Sequence, residues 1–233
     1  RIHSKFNQVG TATGRLSSND PNLQNIPIRS SSGREIRRAF VPAPDGRLIT
    51  ADYSQVELRL LAHLSEDAGL QEAFHAGEDI HRAVAAEVFE VPLAEVDKDQ
   101  RSAAKMVNFG IVYGVTPYGL ARRLDQDVAR AARIINDYKR RFPGIDRFLE
   151  TCVEQAQETG YVETIRGRKR MINDIHSSNG QTRALAERLA INSVVQGSAA
   201  DLIKIAMIRV HRSLPDLHPE ARLILQVHDE LVL

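Results

Sequence analysis

The sequence predicts an α+β fold, in which both ends of the chain build an antiparallel sheet and a mostly helical block is inserted between them. Three observations carry this reading. β-prone apolar runs occur near the start, "RLITADYS" (Arg47 to Ser54), and at the close, "LILQVHDELVL" (Leu223 to Leu233). From Glu66 to Val162 the apolar residues recur at helical spacing almost throughout. The chain has 233 residues, 42% hydrophobic and 26% charged, enough for one or two soluble domains with a sizeable core.

Taken in order, residues 1–35 are polar and turn-rich, densest at "TATGRLSSNDPNLQNIP" (Thr11 to Pro27), and are expected to form a surface loop. "EIRRAFV" (Glu35 to Val41) reads as a short strand and "PAPDG" (Pro42 to Gly46) as a turn. Arg47 to Ser54 is then a second strand, in a hairpin with the first. "QVELRLLAHLS" (Gln55 to Ser65) shifts to helical spacing, with Val56, Leu60, Leu61 and Leu64 on one face. Four further helices follow in "DIHRAVAAEVF", "KDQRSAAKMVNFG", "DVARAARIINDYKRRFPG" and "IDRFLETCVEQAQETG", punctuated by Pro92, Pro117 and Pro143-Gly144. "YVETIRGRKRMI" (Tyr161 to Ile172) reads as a hairpin with a basic tip. Residues 182–214 form a long helical stretch, expected to break near Gly197, and Arg222 to Leu233 a final hairpin with His228-Asp229 at its bend.

Composition excludes some classes. Net charge is +1, so any nucleic-acid-binding surface must be local. The single cysteine, Cys152, excludes an internal disulfide and a cysteine-based zinc site. No apolar run is long enough to span a membrane, and no signal-peptide pattern opens the chain.

Charge inside the last apolar run needs a reason, because carboxylates are seldom buried without a partner or a metal. Asp52 ends one predicted strand, and Asp229 lies at the bend of the last hairpin. If the two ends of the chain share one sheet, these carboxylates meet, and two like charges side by side call for a cation. Oxygen ligands suit Mg²⁺, which is held by one or two carboxylates together with substrate phosphates. A two-metal phosphoryl transfer follows from such a pair. Individually, Asp52 reads equally well as a helix cap and Asp229 as a turn residue.

"RSAAKMVNFGIVYG" (Arg101 to Gly114) places Arg101, Lys105, Phe109 and Tyr113 four residues apart, a gently drifting stripe on a helix. Two cations followed by two rings suit a nucleoside triphosphate, the cations for its phosphates and the rings for its base or sugar. The competing reading is an ordinary amphipathic helix with a solvated basic end.

Together these stretches resemble the family A DNA polymerases, the family of bacterial DNA polymerase I. "DYSQVELR" (Asp52 to Arg59) is similar to the first catalytic motif of that family. The Arg101 to Gly114 stretch resembles its fingers-helix motif, and "QVHDELV" (Gln226 to Val232) its third motif. "TGRLSSNDPNLQNIP", "DIH" (Asp79 to His81) and "VQGSAAD" (Val195 to Asp201) match further segments, in order, from end to end.

The resemblance implies a right-hand architecture, with palm at 1–58 and 199–233 and helical fingers at 59–198. It also implies that thumb and exonuclease domains lie outside this stretch and that the palm is cut short after the last hairpin. Asp52 and Asp229 would bind two Mg²⁺ ions, with Mn²⁺ as a possible substitute, joined by the Tyr53 backbone carbonyl. Glu230 would be an auxiliary acid and Glu57 a steric gate against a ribose 2′-hydroxyl. His81, Arg101 and Lys105 would hold the triphosphate, with Lys105 or His81 as proton donor to the leaving pyrophosphate. Phe109 would stack on the nucleotide and Tyr113 would position the template base. Arg15, Asn25, Asn192, Gln196 and His228 would touch the primer–template DNA. The basic clusters Arg34 to Arg38 and Arg166 to Arg170 would reach phosphates, or else be solvated loops.

The implied activity is template-directed addition of dNTPs to a primer 3′-hydroxyl, in DNA replication or repair. The chain is expected to be a monomer in the cytoplasm of a bacterial or phage-infected cell, without membrane contact. The rival readings are a DNA-binding fragment without turnover, a phage-type single-subunit RNA polymerase, which Glu57 argues against, and a metal-dependent nuclease, which leaves the Arg-Lys-Phe-Tyr stripe unexplained.

Overall fold

The structure is a computed structural model and describes residues 2–28 and 30–233. Its elements are β1 (Lys5–Asn7), β2 (Ser17–Asn19), α1 (Ser31–Arg38), β3 (Thr50–Asp52), α2 (Val56–Leu64), α3 (Ala68–His75), α4 (Ile80–Phe89), α5 (Lys98–Val112), α6 (Pro117–Leu124), α7 (Val128–Arg141), α8 (Pro143–Thr159), β4 (Tyr161–Glu163), β5 (Lys169–Met171), α9 (Gly180–Leu217), β6 (Leu225–Val227) and β7 (Glu230–Val232). They fall into two compact units. The first holds the residues up to Val56, then Glu163–Arg170 and Val195–Leu233; the second holds Glu57–Val162 and Met171–Val194.

The first unit is organised by a three-stranded antiparallel sheet in the order β3-β7-β6. Its register sets Thr50 opposite Val232, Ala51 opposite Leu231 and Asp52 opposite Glu230. Two reciprocal bonds between Ile49 and Leu233 extend the ladder at one end, and the Tyr53 N–H donates to the Asp229 carbonyl at the other (3.1 Å). A separate ribbon pairs β1 with β2. The two ends of the chain therefore do share a sheet.

Two local expectations fail here. Glu35 to Val41 is not a strand and makes no hairpin with Arg47 to Ser54. Residues 31–38 form α1, whose N-cap Ser30 accepts from the Gly33 N–H and whose last turn carries Arg37 and Arg38. The cap and the cations suit a helix dipole, and a short apolar run does not distinguish the two states by period alone. Nor does Gly197 break α9, which runs unbroken over 38 residues. A Cβ at Gly197 would lie 2.6 Å from Thr164 Cγ2 and 3.0 Å from Arg168 Nη2. This glycine is there for close approach.

The second unit is helical and well capped. Asp67, Asp79, Thr116 and Asp127 each accept an N–H in the first turn of their helices. Asp97 and Gln100 form a reciprocal capping box at the start of α5. α4 packs on α5, and α6 and α8 pack on α7. One core is built from Cys152, Ala156, Val162, Ile172, Ile175, Ala186, Ala190, Ile191 and Val194. Elsewhere in the unit Phe142 is fully buried, edge-on to Tyr138 with ring centroids 5.1 Å apart. Asp67, also buried, caps α3 through one oxygen and accepts the Gly144 N–H (2.7 Å) through the other. Among the described residues no helix is long and apolar enough to cross a membrane.

Candidate functional site

In the first unit the sheet register does the positioning. Asp52 ends β3 directly across from Glu230, and Asp229 precedes Glu230 at the β6–β7 bend. The bend needs a left-handed residue, supplied by His228 at φ +56°. Asp52 is exposed and Asp229 half-buried, so both carboxylates sit where solvent and a ligand reach them. Among the described residues no three or more His, Cys, Asp or Glu side chains gather as a metal cage. A cation here would be held by two carboxylates, with main-chain, water or phosphate oxygens completing its shell. That oxygen-only donor set fits Mg²⁺.

Behind the bend lies a buried amide pair that sequence reasoning passed over. Gln226 and Gln24 are both buried, and Gln24 Nε2 donates to the Gln226 side-chain oxygen (2.9 Å) and backbone carbonyl (3.2 Å). Gln226 Nε2 in turn donates to the His228 carbonyl. The pair ties the polar loop of residues 11–27 to the bend. Its only signal in the sequence is an amide on an otherwise apolar strand.

Arg15, Gly14, Ala200, Lys204, Gln226 and His228 all contribute to one small cleft. Arg15 and His228 thus share a surface, and the Thr11 hydroxyl donates to the Arg15 carbonyl (2.7 Å). Gln196 lies half-buried on α9, and Asn25 is exposed. Asn192, one turn before Gln196, belongs to the second unit and keeps a buried Oδ1 without a partner. The basic clusters are only partly available. Arg37 Nη2 donates to the Ile26 carbonyl (3.0 Å), while Arg34 and Arg38 are exposed. Arg168 is turned inward, with Nε on Asp201 (2.9 Å), whereas Arg166 is exposed.

In the second unit the four-residue stripe exists as expected along α5. Lys105 is exposed, with Nζ 5.9 Å from the Phe109 ring centroid. The Phe109 and Tyr113 rings stack, 6.1 Å between centroids and 18° between planes. Tyr113 caps α5, and its hydroxyl donates to Glu57 Oε2 (2.6 Å), which fixes the acid at the start of α2. His81 lies 5.9 Å from Phe109, ring to ring.

Two supporting residues were not foreseen. Asp79 caps α4 through Oδ1 and accepts from Arg101 Nε through Oδ2 (2.6 Å). One carboxylate therefore sets both Arg101 and the helix turn that carries His81. Burial pushes the Asp79 pKa up, but the bonds from Arg101 and the Arg82 N–H outweigh it and hold the carboxyl below its ordinary value. The second residue is Asn108, fully buried, whose amide Nδ2 lies 2.7 Å from His81 Nδ1. That bond makes Nδ1 an acceptor and leaves the ring proton on Nε2. Burial, then the charge of Arg101, lower the His81 pKa to about 4, with Asp79 opposing. At neutral pH His81 is a neutral hydrogen-bond donor.

The family model for DNA polymerase family A matches residues 1–233. The chain is 53% identical over 232 residues to DNA polymerase I of Chloroflexus aurantiacus, covering 100% of this chain and 24% of that protein. It is 53% identical over 234 residues to DNA polymerase I of Pseudomonas aeruginosa, covering 100% and 26%. The chain thus spans about a quarter of the length of these curated relatives. Among solved structures, the polymerase domain of Pol1 from M. smegmatis, in complex with DNA primer-template and dNTP, matches with a TM-score of 0.94 and 50% identity. That match covers 100% of this chain and 41% of the solved one.

Proposed function

Since this chain belongs to DNA polymerase family A, we propose that it carries the nucleotide-adding centre of a DNA-directed DNA polymerase. The first unit would be palm and the second fingers. The observation that carries the reading is the strand register, with Asp52 opposite Glu230 and the Tyr53 N–H on the Asp229 carbonyl. It supports a shared carboxylate site built from residues far apart in the chain.

In the reaction proposed, the primer 3′-hydroxyl attacks the α-phosphate of a dNTP in line, and pyrophosphate leaves. Asp52 and Asp229, with the Tyr53 carbonyl, would hold two Mg²⁺ ions, or Mn²⁺ in their place. Bound there, the ions supply activation of the hydroxyl and neutralise charge on the phosphate oxygens. Glu230 would assist beside them. Arg101 and Lys105 would neutralise the triphosphate, Arg101 in the orientation that Asp79 gives it. His81 would donate Nε2–H to a phosphate oxygen without adding charge. A histidine that is neutral at pH 7 has no acidic proton to give, which favours Lys105 as proton donor to the leaving pyrophosphate.

Phe109 would stack on the incoming nucleotide and Tyr113 position the template base. Glu57, held by Tyr113, would crowd a ribose 2′-hydroxyl. Arg15, Gln196 and His228, with Asn25 and Asn192, would touch the primer–template. Minor-groove acceptors are degenerate, so such donors can test pair shape without reading sequence. We further propose a single chain acting in the bacterial cytoplasm, in replication or repair.

The test is single-nucleotide extension of a labelled primer, with Mg²⁺, by the full-length protein beside its Asp52→Ala variant, with dNTP and NTP in parallel. The expected result is extension with dNTP only, reduced by about a thousandfold or more in the variant. Equal extension by both proteins would refute the carboxylate site. Primer binding with no extension by wild type would favour a binding module.

A further inference from the structure

The basic tip of the β4–β5 hairpin contains a side chain that the proposed chemistry does not use. Arg168 Nε donates to Asp201 Oδ1 (2.9 Å), and its Nη2 donates to the Thr13 carbonyl (2.7 Å) and the Gly197 carbonyl (3.1 Å). Asp201 is fixed from its other side by the Thr164 hydroxyl (2.5 Å), which also accepts the Arg168 N–H (3.1 Å). A second tie runs from the Ile165 N–H to Ser198 Oγ (2.9 Å). The guanidinium lies where two glycines leave room. A Cβ at Gly14, which is at φ +81°, would come within 2.5 Å of Arg168 Cζ, and one at Gly197 within 3.0 Å of Nη2.

The tethered carbonyls have informative neighbours. Thr13 is two residues before Arg15, and Gly197 directly follows Gln196. A single planar fork therefore joins the loop that bears Arg15 to the turn of α9 that bears Gln196. We propose that Arg168 is a positioning residue for primer–template reading, setting the spacing between Arg15 and Gln196. This rests on the reading of those two residues as groups that touch the duplex. Donors aimed at base-pair edges work only within a narrow tolerance, and supporting residues supply it. Lysine cannot replace the fork, because it places one charge where arginine spans three acceptors.

The test is a double-mutant cycle in the full-length protein, measuring kcat for matched primer extension at saturating dNTP. Arg168→Ala and Arg168→Lys are each made in wild-type, Arg15→Ala and Gln196→Ala backgrounds, with urea unfolding midpoints alongside. The expected result is a fall of about ten- to a hundredfold from either Arg168 substitution. In the Arg15→Ala background the further loss should shrink to within about twofold. The salt dependence of primer–template binding should stay unchanged. Should Arg168→Ala fail to fold, Arg168→Lys carries the same cycle, since it keeps the charge and most of the bulk.

Full activity of Arg168→Lys, with Arg168→Ala slow and its salt dependence shallower by about one charge, would mean a phosphate contact and overturn the proposal. Full multiplicative losses in every background would overturn it as well. If Arg15→Ala and Gln196→Ala alone leave extension unchanged, the reading of those two residues has failed, and the proposal falls with it for that separate reason.

Discussion

His81→Gln should make the protein more resistant to acid. In the folded chain His81 is 1% exposed and titrates at about 4, against about 6.5 in an unfolded chain. Above pH 6.5 both states are neutral at this residue, and its contribution to stability is complete. As the pH falls through 6.5 the unfolded chain takes up a proton that the folded chain refuses until near 4. Stability is therefore lost across that window. The linkage amounts to about 2 kcal/mol at pH 5 and about 3 kcal/mol at pH 4. Asp79, held below its ordinary carboxylate value, loses its contribution only at lower pH and leaves this window clear. Glutamine does not titrate, and its amide oxygen can accept the Asn108 N–H that His81 accepts now. Urea unfolding at pH 7, 5 and 4 gives the stability of both proteins, and their difference cancels the titrating groups that are not coupled to residue 81. The variant should gain on wild type by those amounts as the pH falls. A difference that stays flat from pH 7 to 4, or changes in the opposite sense, would refute a neutral buried His81. It would also remove the argument for Lys105 as proton donor.

Two further outcomes are expected. Glu57→Ala should lower the preference for dNTP over NTP by at least about tenfold in kcat/KM, since the acid that Tyr113 holds is gone; an unchanged ratio would remove the steric-gate role. Phe142→Ala empties a fully buried site beside Tyr138 and should cost about 3–5 kcal/mol in urea unfolding, and a cost under about 1 kcal/mol would mean that the site collapses or is not packed as described.

Long-period patterns were legible in the sequence. Helices with caps and strong apolar spacing, such as α4, α5, α7 and α8, lie within a few residues of where the pattern puts them. So does the last hairpin, because a bend at His228-Asp229 between two apolar arms has few alternatives. The stripe from Arg101 to Tyr113 follows from helix geometry once α5 is accepted. Short runs were not legible. Residues 35–41 have too few turns to show a period, and a helix capped by Ser30 takes up their first half, through Arg38. Gly197 carries two meanings, helix breaker and close approach, and only a neighbour within reach of the missing Cβ decides between them.

Local order is thus determined by the sequence itself, because periodicity and capping act over a few residues. So is the choice of chemistry, since carboxylates at strand ends and a helix stripe of two cations followed by two rings restrict what a site can bind. The supporting contacts were decided only by the tertiary structure. That Asp79 orients Arg101, that Asn108 fixes the proton on His81, that Gln24 holds Gln226 and that Arg168 faces inward all depend on pairs separated by 22 to 202 residues. Asp79, Asn108 and Arg168 are ordinary polar residues by type and spacing. Asn108 is fully buried and Asp79 and Arg168 are partly so, and removal from water raises the cost of an unpartnered polar group and so fixes its geometry. Burial is a property of the packed chain and is not carried by any short stretch of it.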